Sequence, residues 1–110
     1  MKKILYIEDC KDDALIFKRS FAEHDVVVVE NLKEAEKHCH AADIVVIDIN
    51  LTIENGYEVF AKLNQKHPDK DYVITSGCFP GVVTYSSECS IISKDRLVGH
   101  INGELLNGST

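Results

Sequence analysis

The sequence predicts an α/β fold, namely a doubly wound sheet of five parallel strands with helices on both faces. Short apolar runs alternate about five times with helical patterns along the 110 residues, as in proteins built from strand–helix–strand units. Within these runs apolar residues follow one another without polar alternation, which is typical of strands that are buried on both faces. The connections are short, and right-handed crossovers leave few ways to wind such a chain.

The predicted strands are short and rich in β-branched residues. They cover 3–7, 26–29, 44–47, 72–74 and 90–93. The third strand, Ile44-Val45-Val46-Ile47, stops abruptly at Asp48, and a loop that contains Gly56 precedes the next helical pattern. A buried parallel strand followed in this way delivers a carboxylate to the edge of its sheet.

Helical patterns fill most of the connections. The first predicted helix runs from about Asp12 and Asp13 to about residue 23, and the second runs from a cap at Asn31 to about residue 39. The third runs from about Tyr57 to about residue 66, and the last begins after a cap at Asp95. The apolar residues predicted to face the core are Ala14, Leu15, Phe17 and Phe21 of the first helix, Leu32 and Ala35 of the second, Val59, Phe60 and Leu63 of the third, and Leu97, Val98, Ile101 and Leu105 of the last.

The connection between the fourth and fifth strands has the weakest pattern. Alternation predicts a helix at 78–89, but Phe79-Pro80-Gly81 is turn chemistry and the next four residues have no helical stripe. We therefore expect this fourth helix to be short or irregular.

Length, charge and cysteine content exclude several classes of protein. The 110 residues suit a single domain, 1–110, with one core. A net charge of −6 and no Lys/Arg cluster argue against a nucleic-acid partner and against an anionic membrane surface. The four cysteines are widely spaced, which is typical of reduced thiols. The apolar run after Met1 is too short for export, so we expect a cytoplasmic protein.

Polar residues follow four of the five predicted strands. They are Glu8 and Asp9 after the first, Asp48 after the third, Thr75 and Ser76 after the fourth, and Lys94 after the fifth. The carboxyl ends of parallel strands share one edge, where ligands of open α/β sheets bind. We therefore expect three acids, a hydroxyl and an ammonium to meet there.

These residue types predict metal-dependent phosphoryl chemistry. Two carboxylates about 4 Å apart repel by roughly 4 kcal/mol at an effective dielectric constant of about 20, so three need a counter-ion. Oxygen ligands with room for water suit Mg²⁺. A metal, Lys94 and the hydroxyl of Thr75 around Asp48 would form a cradle for a phosphoryl group. Asp48 would be the nucleophile, as in aspartyl-phosphate intermediates.

The same residues, in this order, resemble the receiver domain of two-component response regulators. The resemblance is carried by Glu8-Asp9, Asp48 with Gly56 eight residues later, Thr75 followed by small residues, and Lys94, and it covers essentially the whole chain. It implies the flavodoxin-like strand order 2-1-3-4-5. It also implies a signalling switch that catalyses its own phosphorylation and dephosphorylation, and is not otherwise an enzyme.

The resemblance assigns a role to each position. Asp48 would be the phosphoacceptor, and Glu8, Asp9, Asp48 and the backbone carbonyl of Asn50 would hold Mg²⁺. Thr75 would be the switch hydroxyl, and Lys94 would pair with the phosphoryl group. The partners would be a histidine kinase or phosphotransfer protein and an unknown downstream protein, with a homodimer possible. Because little chain follows the last helix, we expect the receiver to act alone.

Several positions depart from the family pattern. Glu8 replaces the more usual Asp, and Thr52 and Asp95 stand where Pro is usual. Ile91 occupies the place of the aromatic switch residue, and the span from Thr75 to Lys94 is shorter than in the family by roughly one helical turn. The altered stretch from 78 to 92 lies where a receiver presents its output surface.

Two other functions remain open from the sequence. A pseudo-receiver would keep the fold and use the stretch from 78 to 92 to bind a partner without phosphorylation. A small Mg²⁺-dependent phosphohydrolase would use Glu8 and Asp48-Ile49-Asn50, but 110 residues leave little material for a substrate cap.

Overall fold

A computed structural model describes residues 2–52, 54–77, 82–86 and 89–106, with the backbone alone for 82–86 and residue 90. Its strands are β1 (Lys3–Ile7), β2 (Asp25–Val29), β3 (Ile44–Asp48), β4 (Asp71–Ser76), β5 (Val82–Ser86) and β6 (Cys89–Ser93). Its α-helices are α1 (Lys11–Ser20), α2 (Leu32–His38), α3 (Gly56–Lys66) and α4 (Lys94–His100). A 3₁₀ turn, Cys39–Ala41, follows α2, and a π-helix, Ile101–Leu106, follows α4.

The strands form one sheet in the order β2-β1-β3-β4-β6-β5. The pairings of β1 with β2 and β3, of β3 with β4, and of β4 with β6 are parallel. Since β6 is the fifth strand predicted from the sequence, the predicted order 2-1-3-4-5 for five parallel strands is confirmed. The parallel order reverses between β1 and β3, so the carboxyl ends of these two strands flank the crevice where such folds bind ligands.

The segment between β4 and β6 differs from the prediction. Its described part is a strand, β5, which pairs antiparallel with β6 at the edge of the sheet, so the helix predicted at 78–89 was wrong for Val82–Ser86. Val82, Val83 and Thr84 are β-branched and lose side-chain freedom in a helix. A free sheet edge lets them pair instead. Residues 78–81 and 87–88 of that prediction lie outside the described residues.

The core has two layers, one on each face of the sheet. One contains Leu5, Ile7, Val45, Ile47, Ile74 and Ile91 with Ala35, Val59, Phe60 and Leu63 of α2 and α3. The other contains Ile4, Tyr6, Val46, Val73 and Ile92 with Phe17, Phe21, Leu97 and Ile101 from the side of α1 and α4. Residues of one strand alternate between the layers, as the pleat requires.

The structure confirms one predicted helix cap and corrects three other predictions about the helices. Asn31 caps α2 as predicted, since its Oδ1 accepts a hydrogen bond from the Glu34 N–H at 2.9 Å. The predicted cap at Asp95 was wrong: β6 continues to Ser93, and α4 begins directly at Lys94, with Asp95 in its first turn. Helix α1 ends at Ser20, before the predicted residue 23. Leu15 was predicted to be inward but is 48% exposed, because it lies about 100° around the helix from Ala14.

Among the described residues, none of the helices combines the length and the apolar character that crossing a bilayer requires.

Candidate functional site

Strand alternation brings the predicted site residues to one face of the sheet. Glu8 follows Tyr6 by two residues, and Asp48 follows Val46 by two, so both carboxylates continue the layer that packs against α1 and α4. Thr75 is the register partner of Asp48 in the adjacent strand β4. Lys94 comes two residues after Ile92 of the same layer. The four side chains therefore start from the same side of the same sheet edge.

Glu8, Asp9 and Asp48 form a cluster of carboxylates. One oxygen from each lies within 4.8 Å of the others. Glu8 and Asp48 are only 1% and 3% exposed, whereas Asp9 is half-buried. Buried carboxylates this close repel unless a cation offsets their charge. Three oxygen donors on one open edge could hold a hard divalent cation such as Mg²⁺.

Lys94 is the cation that the chain itself supplies. Its Nζ lies 2.8 Å from Glu8 Oε1 and 3.3 Å from Asp48 Oδ2, and 2.6 Å from Asp13 Oδ2. Burial favours the neutral amine, but the hydrogen bonds with Asp13 and Glu8 and the charge of Asp48 raise the pKa of Lys94 above its ordinary value. The ammonium therefore stays charged beside Asp48.

Glu8 is the most constrained acid of the cluster. Its Oε1 accepts hydrogen bonds from the buried Tyr6 hydroxyl at 3.0 Å and from Lys94, and its Oε2 accepts a long one from the Cys10 N–H at 3.4 Å. Burial and the neighbouring Asp48 raise the pKa of Glu8 to about 7, against the opposing effect of Lys94. Burial, together with the charge of Glu8, also raises the pKa of Tyr6, so this hydroxyl remains a donor.

Asp9 is held by Thr52 from the loop after β3. The N–H of Thr52 donates to Asp9 Oδ2 at 2.6 Å, and the Thr52 hydroxyl donates to the same oxygen. The hydroxyl contact, with the backbone one, lowers the pKa of Asp9 despite partial burial. Both bonds go to Oδ2, so neither of them occupies Oδ1, which could coordinate a cation.

The loop after β3 fixes the backbone around Asp48. The Asn50 N–H donates to Asp48 Oδ1 at 3.0 Å, and the Ile49 N–H donates to the Thr75 carbonyl at 2.9 Å. Gly56 at the start of α3 donates to the Ile49 carbonyl at 3.1 Å. A Cβ at Gly56 would lie 2.4 Å from the Asp48 carbonyl oxygen, so only glycine allows this approach.

Thr75 lies beside Asp48 with an unused hydroxyl. Thr75 is fully buried, and its Oγ1 has no hydrogen-bond partner among the described residues. An unpaired buried hydroxyl costs about 1–3 kcal/mol. A group bound at this edge could accept a hydrogen bond from it, which fits an anionic ligand at Asp48.

Five of the predicted residues lie at this edge of the sheet, together with three residues that the sequence did not point to, while the metal-ligand role of the Asn50 carbonyl stays a prediction. Glu8, Asp9, Asp48 and Lys94 are brought together by direct contacts or short distances, and Thr75 adjoins Asp48 through strand pairing. The three missed residues are Tyr6, Asp13 and Thr52. Tyr6 could have been found, since alternation places it on the side of Glu8. Asp13 and Thr52 depend on how a helix and a loop approach the edge.

Sequence comparison alone assigns no family to the chain. No protein-family model matches it, and no curated protein matches it either. Its similarity to known proteins is found in the structure.

Several solved structures with the same architecture are receiver domains of response regulators. The phosphorylated cyanobacterial phytochrome response regulator RcpA is 22% identical, with a TM-score of 0.77 over 99% of this chain and 96% of that chain. The complex of histidine kinase ThkA with response regulator TrrA contains a chain that is 22% identical, with a TM-score of 0.76 over 96% and 99%.

TrrA from Thermotoga maritima also matches in its complex with Mg²⁺ and BeF. It is 26% identical, with a TM-score of 0.64 over 70% of each chain. At these identities the similarity establishes architecture. With its parallel strand order and the acidic cluster at the reversal point, the chain has the fold of the response regulator receiver domains.

Proposed function

We propose that the protein is a phosphoryl-accepting receiver that takes a phosphoryl group onto Asp48 with the help of Mg²⁺. The observation that carries this proposal is the placement of Lys94 Nζ 3.3 Å from Asp48 Oδ2, beside a cluster of three carboxylates. If Lys94 and Asp48 formed only a structural ion pair, the carboxylates of Glu8 and Asp9 beside it would serve no purpose. A cation site and an ammonium on either side of one nucleophile suit a transferring phosphoryl group, which carries charge on several oxygens.

The transfer balances with the groups at this edge. An oxygen of the Asp48 carboxylate forms a bond to phosphorus as the P–N bond of a phosphohistidine breaks. The electron pair of that bond stays on the imidazole nitrogen of the donor, and the product is an acyl phosphate on Asp48. Lys94 would stabilise the negative charge of the phosphoryl oxygens.

The acidic cluster would hold the metal ion. Glu8, Asp9 and Asp48 would be ligands, and the backbone carbonyl of Asn50 is proposed as a further one, since the Asn50 N–H already ties this loop to Asp48. Mg²⁺ would neutralise charge on the phosphoryl group and orient it. The fit is supported by the oxygen-only donor set and by the raised pKa of Glu8, which a cation would relieve.

Thr75 would respond to the phosphoryl group. Its buried Oγ1 has no partner within the described ranges, and Asp48 is its register partner. Donation to a phosphoryl oxygen would satisfy this hydroxyl and draw the end of β4 toward Asp48. The change would reach the neighbouring strand β6, which pairs with β4 from Tyr72 to Ser76.

We further propose a histidine kinase or phosphotransfer protein as the donor, and an unidentified downstream protein or a second copy of the chain as the recipient of the switch. The donor proposal draws on the kinase complex in which TrrA was solved.

Phosphorylation with a small donor tests the proposal. Incubation with Mg²⁺ and acetyl phosphate should add one phosphoryl group, measured by intact mass, and Asp48→Asn should abolish it. Asp69→Asn is the matched control, because Asp69 is exposed and precedes β4 at the opposite edge of the sheet. No phosphoryl uptake by the unmutated protein would contradict the receiver function. Release of more than one equivalent of acetate with no bound phosphoryl group would indicate a phosphohydrolase instead.

A second function, a binding module that does not need phosphorylation, is favoured by β5. This strand replaces the helix expected beside β6, and the buried Ile91 stands where the family has its aromatic switch residue. If the protein works in this way, a partner isolated with it should bind Asp48→Asn as tightly as the unmutated chain, and Mg²⁺ should not change the affinity.

A further inference from the structure

Lys94 is shared among three carboxylates, and its shortest contact is with the one outside the metal cluster. Its Nζ lies 2.6 Å from Asp13, compared with 2.8 Å from Glu8 and 3.3 Å from Asp48. Asp13 lies in the first turn of α1, where the helix dipole favours a negative charge. Its carboxylate is therefore well placed to pair with the lysine from the outer side.

The two sides of Lys94 differ in solvent exposure. The side chains of Glu8 and Asp48 are 0% and 4% exposed, whereas that of Asp13 is 38% exposed. Lys94 and Asp13 also line a cavity of about 80 Å³ between α1 and α4, which is large enough to admit water. The Asp13 pair is thus the more accessible to solvent and can separate at smaller cost than the pairs with the buried Glu8 and Asp48.

A metal ion at the cluster would change this balance. Mg²⁺ held by Glu8, Asp9 and Asp48 would neutralise the inner carboxylates, but Asp13 is not part of that cluster and would keep its charge. The attraction of Lys94 to Asp13 would then outweigh its attraction to Asp48. A phosphoryl group on Asp48 would have to draw the ammonium away from Asp13.

We propose that Asp13 is a positioning residue that competes with Asp48 for Lys94 and so limits the lysine charge available to a phosphoryl group. This inference rests on the proposed function. It adds a regulatory residue on α1 that sets how strongly the phosphorylated state is stabilised. Asp13 acts through Lys94 and does not itself contact the metal cluster.

Equilibrium binding to Asp13→Asn tests the proposal. The probes are Mg²⁺ alone and beryllofluoride added with Mg²⁺, as an analogue of the phosphoryl group. Without the Asp13 charge, Lys94 is less neutralised, so Mg²⁺ should bind about two- to fivefold more weakly and beryllofluoride about two- to fivefold more tightly. A structural defect would weaken both, so the opposite signs identify the positioning role.

Two variants serve as controls. Asp12→Asn removes the same charge from the adjacent position, where the exposed side chain has no ion pair with any described residue, and should change either affinity by less than Asp13→Asn does. Asp13→Glu keeps the charge on a longer arm and should stay close to the unmutated protein in both measurements. Equal effects of Asp13→Asn and Asp12→Asn, or a loss of both affinities in Asp13→Asn alone, would overturn the proposal.

The nitrogen NMR signal of the Lys94 ammonium tests the contact without any ligand. Asp13→Asn should shift it or speed its proton exchange, and Asp12→Asn should not. If the unmutated protein fails to bind beryllofluoride, the proposed function is contradicted, while the ammonium signal still decides the Asp13 contact. An ammonium signal unchanged by Asp13→Asn would overturn the inference even if phosphorylation of Asp48 is demonstrated.

Discussion

Thr52 donates two hydrogen bonds to a single carboxylate oxygen of Asp9. One comes from its N–H and the other from its hydroxyl, and both reach Oδ2. Receivers usually have Pro at this position. Proline has neither an N–H nor a hydroxyl, so it could make neither bond. The sequence departure at Thr52 therefore has a direct structural consequence for a metal-ligand candidate.

Removing the Thr52 hydroxyl should strengthen metal binding. A carboxylate that gives less of its charge to hydrogen bonds is a better cation ligand, so Thr52→Ala should bind Mg²⁺ more tightly, by roughly 1 kcal/mol or about fivefold. The pKa of Asp9 should rise from its lowered value at the same time. Calorimetric titration with Mg²⁺ and carboxyl NMR measure the two effects. Thr52→Ser, which keeps both donors, should resemble the unmutated protein, and weaker Mg²⁺ binding in Thr52→Ala would contradict this account.

A side chain at Gly56 should displace the loop that holds Asp48. The Cβ of Ala would lie 2.4 Å from the Asp48 carbonyl oxygen and 2.6 Å from Ile49 Cα, both backbone atoms that cannot rotate away. We expect Gly56→Ala to lower the free energy of unfolding by about 2–4 kcal/mol and to reduce phosphoryl uptake. Urea denaturation measures the stability.

Gly99 provides the matched control for that substitution. Gly99 lies in α4, and outside its own helix backbone and chain neighbours no atom of the described residues lies within 4 Å of an added Cβ, so Gly99→Ala should stabilise the protein by up to about 1 kcal/mol. A Gly56→Ala protein as stable as the unmutated one would show that the loop can move without cost.

Much of the fold and the site could be predicted because strand ends are marked in the sequence. The apolar run at 44–47 ends in a charged residue, and the parallel arrangement then places Asp48 at the same edge as Glu8. The segment at 82–86 could not be assigned in this way. The alternation of strands and helices predicted a helix there. The β-branched residues instead form β5, which pairs with the outer side of β6.

The contacts around the site were harder to predict than its members. Asp13 was interpreted only as a helix-start charge, since nothing in a sequence tells how far the first turn of α1 lies from Lys94. The bonds of Thr52 to Asp9 join residues 43 positions apart through a loop whose path depends on packing. Such contacts require the tertiary structure.

Tyr6 should control the ionisation of Glu8. Its buried hydroxyl donates to Glu8 Oε1 at 3.0 Å, and this bond stabilises the carboxylate. Tyr6→Phe keeps the ring that packs on Phe17 but removes the donor. The pKa of Glu8 should rise further, and Mg²⁺ should bind more weakly at neutral pH, by about 1–2 kcal/mol. The loss should shrink as the pH is raised and Glu8 ionises, which titrations at several pH values would show. A loss that is independent of pH would point to altered packing instead.

The stability of the metal-free protein should fall as the pH rises toward neutrality. The pKa of Glu8 is raised from 4.5 to about 7 in the folded protein, so the folded state binds the proton more tightly than the unfolded state. The stabilisation is complete below about pH 4.5 and is lost as the pH rises through about 7. It amounts to about 3 kcal/mol by the usual conversion of pKa differences.

Glu8→Gln and Mg²⁺ separate this effect from other titrations. Glu8→Gln keeps the size of the side chain without a proton to lose, so its urea midpoint in EDTA should vary less between about pH 5 and 8 than that of the unmutated protein. Saturating Mg²⁺ should reverse the trend in the unmutated protein, since the metal binds the ionised carboxylate and stabilises the folded state increasingly as the pH rises. Glu8→Gln should gain less from Mg²⁺. Parallel pH profiles for the two proteins in EDTA would show that Glu8 does not carry the raised pKa.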